Sequence, residues 1–355
     1  MDISRLRSER LRSHRLTAPA ASVVDAAAHM TATQAQEFWG GRWALAARTR
    51  GELRLSGVDA EFERGRLIRS WTQRGTLHIL RPADLGWLLA VTGARQEKQY
   101  AAPLRNAAIT ASTLTTAERA VRAALSGGNR LTRREFAEVL QAAGIDTAGM
   151  RGNHILVMMC LRQVTCLGPV VPRDGAPSRD QYVVLAEEWI SDATAPADPL
   201  AEMFVHYIAS HGPAGVADFR WWAGVPLGMA RAAVDAAGDR VVEVEQGLYT
   251  AAGPRPRRSA LPEVLALPPF EEYYLSYADR SVPCPPEFTP TVGPSLQGLV
   301  RPVLLADGEV IGAWTHSVAV GRHHLDPVPE LFTPGAAPAP AVADALARFA
   351  RFITG

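Results

Sequence analysis

Lysine is almost absent. Of the 37 basic residues only Lys98 is not arginine, so chemistry that needs a reactive amine, such as Schiff-base formation, has one candidate. Cysteine is scarce as well. Cys160, Cys166 and Cys284 make an odd count with no CxxC spacing, which indicates neither a disulfide framework nor a zinc site. Buried thiols in a cytoplasmic, nucleoid-associated protein are the expectation. Long apolar runs are missing too: Ile155 to Leu161 is seven residues, far from the ~20 that span a bilayer. Arg5, Arg7, Arg10, Arg12 and Arg15 open the chain without an apolar stretch behind them, so no signal peptide is expected. No Walker loop, GxGxxG, HExxH or GxSxG occurs. His316, His323 and His324 lack regular ligand spacing and read as a solvated loop, so neither metal nor cofactor is expected.

What remains is an ordinary globular composition. The chain has 355 residues, 47% apolar and 21% charged, enough for two or more domains and too apolar for disorder. Its net charge of +1 hides a split: residues 1–165 carry 24 Arg and Lys against 14 Asp and Glu, residues 166–355 carry 13 against 22. A half at +10 joined to a half at −9 suggests that the N-terminal half meets a polyanion.

Local signals repeat one layout twice. Thr115-Thr116-Ala117-Glu118 reads as a capping box opening a helix to Leu125, and Thr132-Arg133-Arg134-Glu135 as a second, stopped by Gly144. A third helix is predicted from Gly152 to Gln163, then strands Val164–Val171 and Tyr182–Leu185 around a Pro172–Gly175 turn. The second copy runs from a helix opened by Asp198-Pro199 to His211, through helices Val216–Trp222 and Pro226–Ala237, to strands Val241–Glu245 and Leu248–Ala251. Three helices followed by strand, turn and strand is the winged-helix order. The predicted class is mixed α/β, mainly helical with β wings. Linkers are expected at Ser191–Ala197, Gly253–Ser259 and Ser281–Pro294. A hairpin is expected around Ala306-Asp307-Gly308-Glu309, and a helix over Ala341–Ile353 with Val342, Leu346, Phe349 and Ile353 on one face.

Thr31 to Gln36 reads as a strand, in which Gln34 and Gln36 project from one face. Two side-chain amides so placed can hold a water or a substrate between them. A plain polar strand face has the same spacing.

Five motifs in order carry a resemblance. They are Gln34-Ala35-Gln36; Arg74-Gly75-Thr76-Leu77-His78; His211-Gly212-Pro213 with Asp218-Phe219-Arg220-Trp221-Trp222; Leu267-Pro268-Pro269-Phe270-Glu271-Glu272-Tyr273; and Gly308 through Gly312-Ala313-Trp314. Together they resemble the AlkZ/YcaQ winged-helix DNA glycosylases, in the branch with a Gln-apolar-Gln motif. The resemblance implies tandem winged helices around a DNA channel: residues 1–112 with the catalytic motif, 113–190 and 198–252, then a β-rich region with a terminal helix over 260–355. It implies monofunctional removal of bulky N7-alkylguanines, interstrand crosslinks included, from double-stranded DNA, in self-resistance to a genotoxic natural product. Gln34 and Gln36 are then the catalytic pair and His78 a DNA contact. The basic half adds Arg42, Arg50 and Arg74 as phosphate contacts, with solvated helix faces as the other reading, and a monomer is expected. The alternative is a non-catalytic tandem winged-helix protein, a DNA-binding regulator or a drug-binding resistance protein. Trp221, Trp222, Tyr273, Tyr274 and Tyr277 are expected in the core.

Overall fold

Residues 110–185 fold around the signals that announce them. Thr132 caps the Arg133–Ala142 helix in a capping box with Glu135, as expected. The preceding helix starts earlier than predicted, at Ala111, capped by Thr110 with Thr113. Thr115 instead lies within this helix, its hydroxyl donating to the Ala111 carbonyl at 3.1 Å. Helix Arg151–Leu161 buries its whole apolar run Ile155–Leu161. Strands Thr165–Val170 and Gln181–Leu185 form the wing.

The computed structural model describes residues 1–259 and 262–355, and these divide into two compact units. One comprises residues 59–173 and 178–199, the other 1–58, 174–177 and 200–355. The start of the expected C-terminal region, at Ala260 and Leu261, lies outside the described residues. An expected boundary at 112/113 is not a division of the structure. Strand Ile68–Gln73 pairs with Thr165–Val170 through Arg69 and Leu167, so residues 59–112 share a sheet with the winged helix that follows. In this unit that sheet runs antiparallel in the order Thr76–Leu80, Ile68–Gln73, Thr165–Val170, Gln181–Leu185, Arg130–Leu131. Helix Leu85–Asn106 packs on it.

The other unit contains the second winged-helix set: helices Pro199–His211, Val216–Ala223 and Leu227–Ala237, then the hairpin Val241–Glu245/Leu248–Ala251. It also holds an antiparallel sheet ordered Val328–Leu331, Glu309–Thr315, Val303–Ala306, Leu265–Leu267. The predicted turn joins the two central strands, with Asp307 and Gly308 at φ 47° and 78°, the left-handed pair of a type I′ turn. Helix Ala339–Thr354 presses the predicted apolar face onto this sheet, where Phe349 lies 4.6 Å from Trp314 and 5.5 Å from Trp43, centroid to centroid. The indole N–H groups of Trp43 and Trp314 donate to the Ala266 and Leu267 carbonyls, both at 2.9 Å, and so tie the core to the sheet.

Residues 281–294 are not a linker. They contain a short helix, Thr289–Val292, with Cys284 and Val292 fully buried. Residues 191–197 and 253–259 are irregular, as expected. No helix among the described residues is long and apolar enough to cross a membrane, and no group of three or more potential metal ligands occurs among them.

Candidate active site

The Gln34-Ala35-Gln36 segment begins from a strained turn. Helix Val23–Met30 ends at Thr31, whose φ of 66° and ψ of −53° form a γ-turn closed by the Ala32 N–H on the Met30 carbonyl at 2.7 Å. That conformation is rare, the more so for a β-branched residue. The Thr31 hydroxyl is pinned 2.8 Å from His206 Nδ1. Only Thr33 and Gln34 are then extended, and the chain bends at Gln36 before helix Phe38–Ala47. The predicted six-residue strand is therefore two residues long. Gln34 is 7% exposed, whereas Gln36 is open to solvent. One amide is enclosed and the other accessible, a more asymmetric pair than alternation on a strand implies.

Beneath Gln34 lies a buried polar cluster. The Gln34 N–H donates to Glu272 Oε1 at 2.7 Å. Glu272 Oε2 accepts from the Ser276 hydroxyl and stands 3.5 Å from His211 Nε2. His211 Nδ1 lies 2.7 Å from Ser210 Oγ, and its ring stacks on Tyr207 at 4.7 Å. Next in sequence, Glu271 forms a fully enclosed ion pair with Arg48, and its carboxylate also accepts the Tyr273 N–H at 3.0 Å. Arg48 Nη2 reaches to 3.4 Å from His14 Nδ1, while His14 Nε2 lies 2.9 Å from the Tyr277 hydroxyl, which donates to the His211 carbonyl at 2.7 Å. This chain of contacts assigns the proton of neutral His14 to Nε2. Burial, then the neighbouring His211 and Arg48, hold the His14 imidazole well below its ordinary pKa. Burial also lowers His211, with Glu272 pulling the other way.

Four of the five sequence motifs converge here. Besides Gln34, His211 and Glu272, the Tyr273 hydroxyl donates to the Gly308 carbonyl at 2.9 Å, and Asp218 accepts the Ala278 N–H at 3.0 Å. A Cβ on Gly308 would stand 2.7 Å from the Tyr273 hydroxyl, so that close approach requires glycine. Tyr273, Tyr274, Tyr277 and Trp222 are in the core as expected. Trp221 is not: it is 45% exposed, its indole donating to the Leu275 carbonyl at 2.7 Å beneath the Arg280 guanidinium. Adjacent helical residues diverge by about 100°, and here Trp222 takes the inward direction and Trp221 the outward one.

The fifth motif stands in the other unit. Arg74 and Gly75, at φ 54° and 72°, are the two turn residues of the hairpin joining Ile68–Gln73 to Thr76–Leu80, with Gln73 paired to Thr76. Arg74 is half-buried at this tip. His78 is 0% exposed, its Nδ1 3.0 Å from the Thr72 hydroxyl and 3.1 Å from the Thr76 carbonyl. Gln73 is 0% exposed too, and its amide finds no hydrogen-bond partner among the described residues. Arg50 is exposed, with its Nε 3.2 Å from the Pro19 carbonyl. Arg42 is 0% exposed, its guanidinium 4.0 Å over the Phe38 ring, an interior position rather than a surface one.

The family model for DNA glycosylases of the AlkZ-like type matches residues 27–352, from the helix before Gln34 to the terminal helix. The chain belongs to the AlkZ-like DNA glycosylase family. Among solved structures it is similar to the Streptomyces sahachiroi DNA glycosylase AlkZ, at 22% identity and a TM-score of 0.76 over 99% of this chain and 96% of that one. No curated protein matches. As an AlkZ-like glycosylase the chain acts on DNA, and the family match spans all five motifs. Spacing drew attention to Gln34 and Gln36, the basic half to Arg74, and the family resemblance to His78. None of these signals gave a role to Glu272, His211 or Gln73, although the first two stand within the five motifs. Arg48, one of the arginines that follow the Gln-Ala-Gln segment, is an enclosed partner of Glu271.

Proposed function

We propose that this AlkZ-like glycosylase hydrolyses the N-glycosidic bond of N7-alkylguanines in duplex DNA, bulky adducts and N7-linked crosslinks included, with Gln34 and Gln36 as the catalytic pair. The observation that supports it most is the chemical character of the motif: two amides, one enclosed and one open, on a backbone held by a buried carboxylate. An amide orients water but does not deprotonate it near neutral pH, so it suits a lesion whose bond is already labile. N7-alkylation places a positive charge on the guanine. As the C1′–N9 bond breaks, its electron pair moves onto the base, which leaves neutral, while the sugar develops oxocarbenium character. The water held by the amides adds to C1′ and loses its proton to solvent, leaving an abasic site. Lyase chemistry has little support, since Lys98, the single lysine, stands exposed on helix Leu85–Asn106. Arg50 and Arg74 are the proposed phosphate contacts, and the proposed setting is self-resistance to a DNA-alkylating natural product.

The test is excision from one duplex sequence carrying N7-methylguanine, a bulky N7 adduct or an uncharged O6-alkylguanine, read by alkaline cleavage of abasic sites. Both N7 lesions are expected to be released and the O6 lesion retained. Gln34→Ala and Gln36→Ala are each expected to lower the single-turnover rate about 10²-fold with DNA affinity nearly unchanged, since they remove interactions made in the transition state. Efficient release of the O6 lesion, or wild-type rates in both variants, overturns the reading.

A further inference from the structure

We propose that Glu272 is the positioning residue of the site, a carboxylate clamp that sets the backbone of Gln34 and through it the direction of the Gln34 amide. The inference rests on Gln34 acting in base release, as proposed above.

Three observations carry it. First, the backbone that enters the motif is strained at Thr31 and extended for only two residues, Thr33 and Gln34. A strained turn persists only where its surroundings over-determine it. Second, two of the contacts that hold it from outside the segment are made by charged or polar side chains from distant sequence. His206 meets the Thr31 hydroxyl at 2.8 Å, and Glu272, 238 residues away, takes the Gln34 N–H at 2.7 Å. A charge-assisted hydrogen bond of that length between buried groups is among the stronger single tethers a backbone can have. Third, Glu272 is itself held. It is 1% exposed, its second oxygen accepts from Ser276, and His211 stands against it. Its neighbour Glu271 carries the full counter-charge of Arg48, so the two adjacent carboxylates have separate duties. Glu271 closes an ion pair, and Glu272 faces the motif.

A clamp of this kind acts through geometry. Displacing Gln34 by about 1 Å is enough to cost 10²-fold in rate. Gln at position 272 keeps an oxygen that can accept from Gln34. Met keeps approximate volume but offers no acceptor. Glu272→Gln is therefore expected to release base within about threefold of the wild-type single-turnover rate, and Glu272→Met to fall about 10²-fold, to the level of Gln34→Ala, with affinity for the duplex unchanged. The double variant Gln34→Ala/Glu272→Met should be no slower than Gln34→Ala alone, because both remove the same contribution. Additive losses, a wild-type rate in Glu272→Met, or a loss in affinity rather than rate would each overturn the proposal.

Hydrogen exchange gives a readout independent of base release. The Gln34 amide should exchange about tenfold faster or more in Glu272→Met than in the wild type, with the melting transition still cooperative. If Glu272→Met does not fold, Ser276→Ala loosens the same carboxylate and is expected to raise Gln34 exchange to a smaller degree; unchanged exchange overturns the clamp. A wild-type chain that releases no base from any duplex defeats the proposed function alone, and the clamp is then decided by Gln34 exchange.

Discussion

Arg48 and Glu271 illustrate how much a single enclosed charge can matter in this protein. Both side chains are 0% exposed, and each is the other's counter-ion. Removing one partner leaves the other buried and uncompensated, a loss of about 3–5 kcal/mol. Arg48→Met should therefore lower the free energy of urea unfolding by about that amount, whether or not activity is measured. The buried imidazoles make a second claim. His14 and His211 sit below their ordinary pKa because burial penalises the charged form, and burial with Arg15 nearby brings His29 to about 4. In the unfolded chain each titrates near 6.5. Below that pH the unfolded state binds more protons than the folded one, so stability falls as pH drops from about 6.5 towards 4. The melting temperature should decline over that window, and His14→Gln should make the decline shallower. A melting temperature independent of pH between 7 and 5 would show that these histidines do not stay neutral.

Among the elements, the hairpin that carries Arg74 depends on its turn. A methyl on Gly75, at φ 72°, would meet nothing closer than 3.8 Å, so the obstacle to a side chain there is the backbone conformation itself. Gly75→Val should destabilise the unit of residues 59–173 by about 1 kcal/mol or more, through the conformation that a β-branched residue resists. The terminal helix depends instead on packing. Phe349 is 0% exposed between Trp39, Trp43 and Trp314, and truncation to Ala should cost about 3–5 kcal/mol by denaturant unfolding, with more lost than the transfer of one ring because the indoles around it cannot collapse. A cost under 1 kcal/mol would mean that the helix is not part of the core.

For the molecule as a whole, the proposed contact of the basic half with DNA can be tested through salt. Each phosphate neutralised contributes about −0.9 to the slope of log affinity against log salt concentration. Arg50→Gln and Arg74→Gln should each flatten that slope by about one unit and weaken binding to any duplex sequence alike. Arg42→Gln should leave the slope unchanged and lower stability, since the guanidinium is enclosed over Phe38. An Arg42 variant with a flatter slope would show that this arginine reaches phosphate.

Local chemistry made much of this fold readable in the chain. Capping boxes, glycine stops, I′ turn residues and helical periodicity act within a few residues, so the Thr132–Glu135 cap, both wings, the Asp307-Gly308 turn and the face of the terminal helix were all legible. The Gln-apolar-Gln motif was legible because it is contiguous. What lay out of reach depends on which faces meet. The bend at Gln36, the burial of Arg42 and the exposure of Trp221 follow from packing partners that no short window contains. The contact between Gln34 and Glu272 joins residues 238 positions apart, and a carboxylate that reads as an ordinary charged side chain becomes a tether only once folding removes water from around it.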